Sequence, residues 1–192
     1  MEENMEETML EKDTKEENQF IKRIILTNPI KEKKEKEKKM RVETKTWGLK
    51  EPELSHQTQL EYILSDDFLT NKKDKYISSL STHIKNKISN YKQQDVLKKK
   101  LNKQEFVSYD ETVKLLKESL LKCCYCSEEV YILYEHVRAT RQWSLDRINN
   151  DIGHNKGNLL ISCLECNLKR RRTNKDAFMF TKNMKIIKEK TT

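Results

Sequence analysis

The stretch WSLDRINNDIGHNKGNLLISCLECNLKRRR, residues 143–172, decides the fold. It holds two of the chain's three glycines, Gly153 and Gly157, among asparagines and aspartates, in a sequence otherwise heavy in lysine, glutamate and leucine. Ser144–Ile148 reads as a short strand. Asn149, Asn150 and Asn155 are turn formers, and the two glycines let the loop turn tightly. NLLIS, residues 158–162, has the aliphatic content of a second strand. CLECNLKRRR, residues 163–172, lacks glycine and proline and suits a helix, so the order is strand, loop, strand, helix.

Outward from this stretch, Cys123-x-x-Cys126 and Cys163-x-x-Cys166 are the most specific pattern in the chain. Two intervening residues let both thiolates of a pair reach one tetrahedral ion, and two such pairs complete four soft ligands with no open position. The pattern predicts a structural Zn2+ that pins the hairpin to the start of the helix. Disulfides or unmetallated core thiols are the alternatives. Cys124 is a spare: it can replace Cys123 as ligand, but the two-residue gap fits Cys123. A domain of about 70 residues with few large apolar side chains gains much of its stability from such an ion.

Upstream, the segment EEVYILYEHV (128–137) has the β-branched and aromatic content of another strand. Ser108 and Glu111 form an S-x-x-E capping box, predicting a helix whose stripe Val113, Leu116, Leu120 and Leu121 runs into Cys123. A longer amphipathic helix over roughly 74–103 aligns Ile77, Leu80, Ile84 and Ile88, with Lys75, Lys85, Lys87, Lys92 and the LKKK run at 97–100 left for phosphates or solvent. Another helix starts near residue 57, with Leu60, Ile63, Leu64 and Phe68 along one side. Residues 1–45 read as a disordered, charged arm, and Trp47-Gly48 with Pro52 marks its end. Downstream, a final helix DAFMFTKNMKIIK is expected to pack Phe178, Met179, Ile186 and Ile187 back on the domain.

The chain has 192 residues, 35% hydrophobic and 36% charged, with a net charge of +8. Residues 1–18 carry −6, so the remaining 174 carry +14. That surplus favours a polyanion as partner, above all nucleic acid. No apolar run approaches the ~20 residues of a membrane span, and the acidic start is unlike a secretory signal. The expected setting is a reducing, intracellular compartment rather than a secreted one.

The ordered set CCYCS, SLDRI, GH and GNLLISCLECNLKR resembles the zinc-supported HNH, or His-Me finger, endonucleases, and is similar to predicted endonucleases of large DNA viruses and phages. The likeness is dense over residues 120–175. It implies a ββα-metal domain gripping one catalytic Mg2+ or Mn2+ apart from the zinc, and a viral setting in host cytoplasm or nucleus. By that likeness Asp146 and Asn167 are the ligands of the catalytic cation, and Asn158 braces the loop and the general base. Such a hard cation prefers oxygen ligands and keeps waters.

Where the family has the histidine of an Asp-His pair, this chain has Arg147. Arginine stays protonated, so it clamps phosphate and cannot take a proton. His154 is the candidate base, with His136 in reserve. Lys169, Arg170, Arg171 and Arg172 follow the proposed ligand on one helix and are candidate phosphate contacts. The expected architecture is α+β and mostly α: a charged arm (1–45), a helical, basic DNA-holding region (46–119) and an endonuclease domain (120–192). The rival, for which Arg147 is the best argument, is a zinc-stabilised nucleic-acid-binding module without cleavage activity; a zinc-scaffolded interaction adaptor is a third.

Overall fold

A computed structural model of the chain describes residues 22–23, 39–42, 47–71, 73–184 and 186–187. Most of the expected arm, residues 1–45, lies outside the described residues. Residues 39–42 do not behave as an arm: Arg41 N–H donates to Glu135 O and Val137 N–H to Lys39 O, so this segment is paired with residues 135–137. Residues 37–178 form one compact unit, and the boundary expected at 119/120 falls inside it. Residues 1–36 and 179–192 fall in a second unit, where Lys22–Arg23 pairs in parallel with Ile186–Ile187. Ile186 and Ile187 are therefore in a short strand, beyond the end of the last helix.

The fold is α+β and mostly helical. Helix α1 (His56–Leu64) starts at Ser55, whose hydroxyl accepts from Thr58 N–H. Helix α2 (Lys75–Leu97) starts at Asp74, whose carboxylate accepts from Tyr76 and Ile77 N–H. Helix α3 (Tyr109–Glu118) begins with the predicted capping box of Ser108 and Glu111. These side chains satisfy amide donors that a helix start leaves without partners. The hydrophobic stripes then meet: Ile63 of α1, Leu80 and Ile84 of α2, and Leu116 of α3 are fully buried. Helix α2 stops at Leu97, short of the expected 103, because Lys98 caps it and Lys99 turns left-handed at φ 54°. Helix α3 likewise ends before the cysteines, with Leu120 and Leu121 both at positive φ; Leu121 alone is buried.

The hairpin consists of β1 (Trp143–Arg147) and β2 (Leu159–Cys163), antiparallel, with Trp143 opposite Cys163 and Arg147 opposite Leu159. Helix α4 (Leu164–Arg170) follows at once, capped by Cys163, and α5 (Lys175–Asn183) comes last. Phe178, in the first turns of α5, packs edge-on against Tyr125 at 5.0 Å.

The strand expected over 128–137 does not form. Its residues make only isolated bridges, Lys122 to Glu129, Tyr131 to Gln142 and Met40 to His136. The reason is one buried side chain from α1. Gln59 Oε1 accepts from Ile132 N–H at 2.8 Å and Leu133 N–H at 2.9 Å, while its Nε2 donates to Leu133 O at 3.1 Å. That amide satisfies the backbone groups a neighbouring strand would have taken. Among the described residues no helix is long and apolar enough to cross a membrane.

Candidate active site and metal centre

The four paired cysteines come together as their spacing predicts. The sulfurs of Cys123, Cys126, Cys163 and Cys166 all lie within 4.8 Å of one another, and Cys126 Sγ is 4.0 Å from Cys163 Sγ. A tetrahedral ion with metal–sulfur bonds of about 2.3 Å needs sulfurs slightly closer than this, so the cluster can hold one with a small contraction. Its surroundings suit thiolates. Cys166 N–H donates to Cys163 Sγ at 3.3 Å and Arg141 Nη1 to Cys126 Sγ at 3.5 Å. Such donors from outside the ligand set disperse the negative charge that several thiolates accumulate around one ion. Sulfhydryl bonds from Cys124 and Cys163 pull the Cys123 thiol well down, whereas the neighbouring Cys123 and burial push Cys163 up. A divalent cation relieves that competition by letting every sulfur ionise. Cys124 stands outside the cluster, half-buried, with its backbone N–H bonded to Ile161 O.

Beside the cage, β1, the loop after it, α4 and α2 enclose a cleft of about 400 Å³. Asp146, Arg147, His154 and Asn167 all line it. Asp146 is buried, and both of its oxygens are engaged: Oδ2 accepts from Tyr125 Oη at 2.7 Å and Oδ1 from Arg170 Nη1 at 2.7 Å. Burial raises its pKa, and the bonds from Tyr125 and Arg170 oppose that rise. Asn167 Nδ2 donates to Ser144 Oγ at 3.2 Å and weakly to Leu145 O at 3.4 Å. Arg147 is half-buried and donates to Ile152 O at 3.2 Å. Asn158 holds the loop closed rather than touching the base. Its Oδ1 accepts from Asn149 N–H at 2.8 Å, and its Nδ2 donates to Asn149 O and Gly153 O.

His154 is held from a direction the sequence did not suggest. Its Nδ1 lies 2.9 Å from Asp95 Oδ1, its backbone N–H donates to Asp95 Oδ2 at 2.6 Å, and its ring packs tilted by 31° against Tyr91, 4.5 Å between centroids. Asp95 and Tyr91 both belong to α2, and Asp95 is fully buried. With Nδ1–H donated to the carboxylate, Nε2 is the nitrogen left to act at the cleft. Burial lowers the histidine below its ordinary value, with Asp95 offsetting part of the drop. His136, the reserve, is not among the residues lining this cleft. Gly153 has its own reason to lack a side chain. A Cβ there would sit 2.5 Å from Lys100 O and 2.7 Å from Asp95 Oδ2, so the loop needs glycine for clearance against α2 and the turn that follows it. Gly157 does serve the turn, at φ 74°.

The basic run divides. Lys169 is exposed and paired with Glu165 on its own helix, Arg171 is exposed, and Arg172 pairs with Asp151 at 2.8 Å, both well exposed. Arg170 is the correction: it is 1% exposed and cannot reach a nucleic-acid backbone. It donates to Asp146 Oδ1, to Arg147 O at 2.8 Å and to Ile148 O at 2.9 Å, tying α4 to the end of β1. Truncating one partner of a buried ion pair leaves the other charge uncompensated. Arg170→Ala should therefore cost about 3–5 kcal/mol of stability. Arg172→Ala, at an exposed pair, should stay within about 0.5 kcal/mol. Thermal or urea unfolding of both variants checks the contrast, and equal costs would contradict the assignment.

No family model, curated protein or solved structure matches the chain.

Proposed function

We propose that this chain is an HNH-type endonuclease that hydrolyses DNA phosphodiester bonds, with a structural zinc in the four-cysteine cage. The observation that carries the reading is the convergence of Asp146, Arg147, His154 and Asn167 on one cleft, with the His154 ring fixed through Nδ1 by Asp95. Neutral His154 accepts a proton from water at Nε2, the task for which a histidine with a lowered pKa is already in the required form. The Arg147 guanidinium, whose planar fork matches a phosphate, holds the scissile phosphate. A Mg2+ or Mn2+ ion bound by oxygens of Asp146 and Asn167 would neutralise charge on the phosphate and the departing oxygen. The donor set fits such an ion in outline. Each Asp146 oxygen accepts one bond from the protein and retains a lone pair, and Asn167 turns its Nδ2 to the strand. Exposed Lys169, Arg171 and Arg172 lie on and just after α4 and supply phosphate contacts that position DNA without reading its sequence.

The engagement of both Asp146 oxygens by Tyr125 and Arg170 favours a second reading. In it Asp146 is a structural anion, and the cleft binds nucleic acid without cutting it. Plasmid nicking in Mg2+ or Mn2+ separates the two. Wild type should nick, while Asp146→Asn, which keeps the shape and an acceptor beside Tyr125 and Arg170, and Asn167→Ala should bind DNA and leave it intact. If wild type binds in a salt-sensitive way and never nicks, the second reading takes over; if wild type and both variants nick alike, the activity comes from elsewhere.

A further inference from the structure

A second and larger cleft, about 670 Å³, opens on the other side of Lys87 and Asn90, which line both clefts. Its walls differ from those of the first. Trp47 and Tyr134 present aromatic rings, each edge-on to His83, at 6.0 Å and 5.2 Å. The Arg41 guanidinium lies over both rings, and its Nη1 is 2.8 Å from His83 Nε2. Arginine can only donate, so His83 Nε2 must accept and the ring proton must sit on Nδ1. That Nδ1–H is buried and has no acceptor among the described residues. A buried donor without a partner marks a place where an incoming acceptor gains more than at a solvated surface.

One ridge of α2 connects the clefts. Ser78, Thr82, Asn86, Asn90, Gln94 and Lys98 recur at every fourth position, all exposed, and all line one cleft or the other. Their side chains make no hydrogen bond among the described residues. A ridge of this spacing runs obliquely to the helix axis, which carries it from the first cleft to the second. Each step advances about 6 Å and the whole ridge about 30 Å, lengths suited to following successive phosphates of one strand. Five of the six residues are neutral hydroxyls or amides, which hydrogen-bond a backbone without demanding a particular sequence.

We propose that this ridge is a track for an unpaired nucleic-acid strand, with an unstacked base held in the Arg41–Trp47–His83–Tyr134 cleft and the strand leading to His154. Aromatic walls beside a polar backbone track are the chemistry by which single strands are held, because every base has a face to stack and only unpaired bases can be splayed out. The inference rests on the nuclease reading only for what lies at the far end of the track, and binding alone tests it.

The test uses the zinc-loaded full chain without added Mg2+ or Mn2+, and fluorescence anisotropy at fixed salt with labelled dT12, rU12 and a 12-base-pair DNA duplex. Either single strand should bind at least about tenfold more tightly than the duplex, and the stronger of the two identifies the sugar preferred. Trp47→Ala should weaken single-strand binding about tenfold, the range expected for losing one stacked base, with duplex binding unchanged and Trp47→Phe largely retaining affinity. Asn86→Asp with Asn90→Asp changes two exposed residues and so leaves folding and zinc content intact; the added charge on the track should weaken single-strand binding by a similar factor. Duplex binding equal to or tighter than single-strand binding overturns the proposal, as does an Asp double variant that binds dT12 and rU12 like wild type. A protein that prefers single strands but never cuts would sink the nuclease reading and leave this one standing. One that cuts duplex with no single-strand preference does the reverse.

Discussion

His154→Ala should lower the rate of DNA cleavage by about 10²- to 10⁴-fold, the range a positioned general base contributes, with zinc content near wild type and a lower melting temperature, because the buried Asp95 loses its ring partner. The pH profile makes the assignment sharper than the loss of rate. Burial draws His154 below its ordinary value of 6.5, so the base form is already dominant at neutral pH. Cleavage should therefore rise with pH on an acid limb lying below 6.5 and then level off. Asp95 acts through His154 and is a positioning residue. Its carboxylate fixes the Nδ1–H tautomer and raises the histidine's affinity for a proton. Asp95→Asn should move the acid limb to still lower pH and drop the plateau by roughly 10²-fold, because the tautomer is no longer imposed. A merely structural carboxylate would change stability without displacing the limb. Full turnover in His154→Ala would remove the base from this position altogether.

How much of this was legible in the sequence depends on the distance over which each contact acts. The capping box at Ser108, the hairpin and the helix that follows it are local, and spacing alone places them to within a residue or two. The cysteine cage spans four tens of residues, yet it is legible because a tetrahedral ion tolerates few spacings. Asp95 was not. It meets His154 across 59 positions, and no local pattern announces a carboxylate that far from its histidine. One trace does exist: Asp95 is the only acidic residue from 75 to 104, isolated in a lysine-rich helix where nothing local requires it. The false strand at 128–137 failed for the same long-range reason, since Gln59 lies 73 residues from Ile132. Arg170 could not be told from its basic neighbours by composition. Only the helical turn, which points one of four consecutive cations inward beneath β1, distinguishes it.

The same long-range logic makes the cage, more than the hydrophobic core, the element on which the site depends. Cys163 closes β2, caps α4 through the bond from Cys166 N–H to its sulfur, and belongs to the four-sulfur cluster. Serine at that position keeps a good cap but supplies a poor zinc ligand, so Cys163→Ser isolates the metal from the cap. A structural zinc site contributes about 10–16 kcal/mol of apparent binding free energy, which equals or exceeds the whole stability of a typical domain. Cys163→Ser should therefore lose its zinc and its cooperative melting transition together, and a strong chelator should do the same to wild type. Cys124→Ser should keep both, because that sulfur lies outside the cluster. Acid should release the ion as thiolates protonate, and the hairpin that carries Asp146 should unfold with it. Metal analysis beside a melting curve reads both quantities. Full zinc in Cys163→Ser would mean the ion has another ligand set, and an unaltered melt after zinc loss would return the fold to its apolar core, where Trp143, Leu145 and Ile161 would have to hold the hairpin unaided.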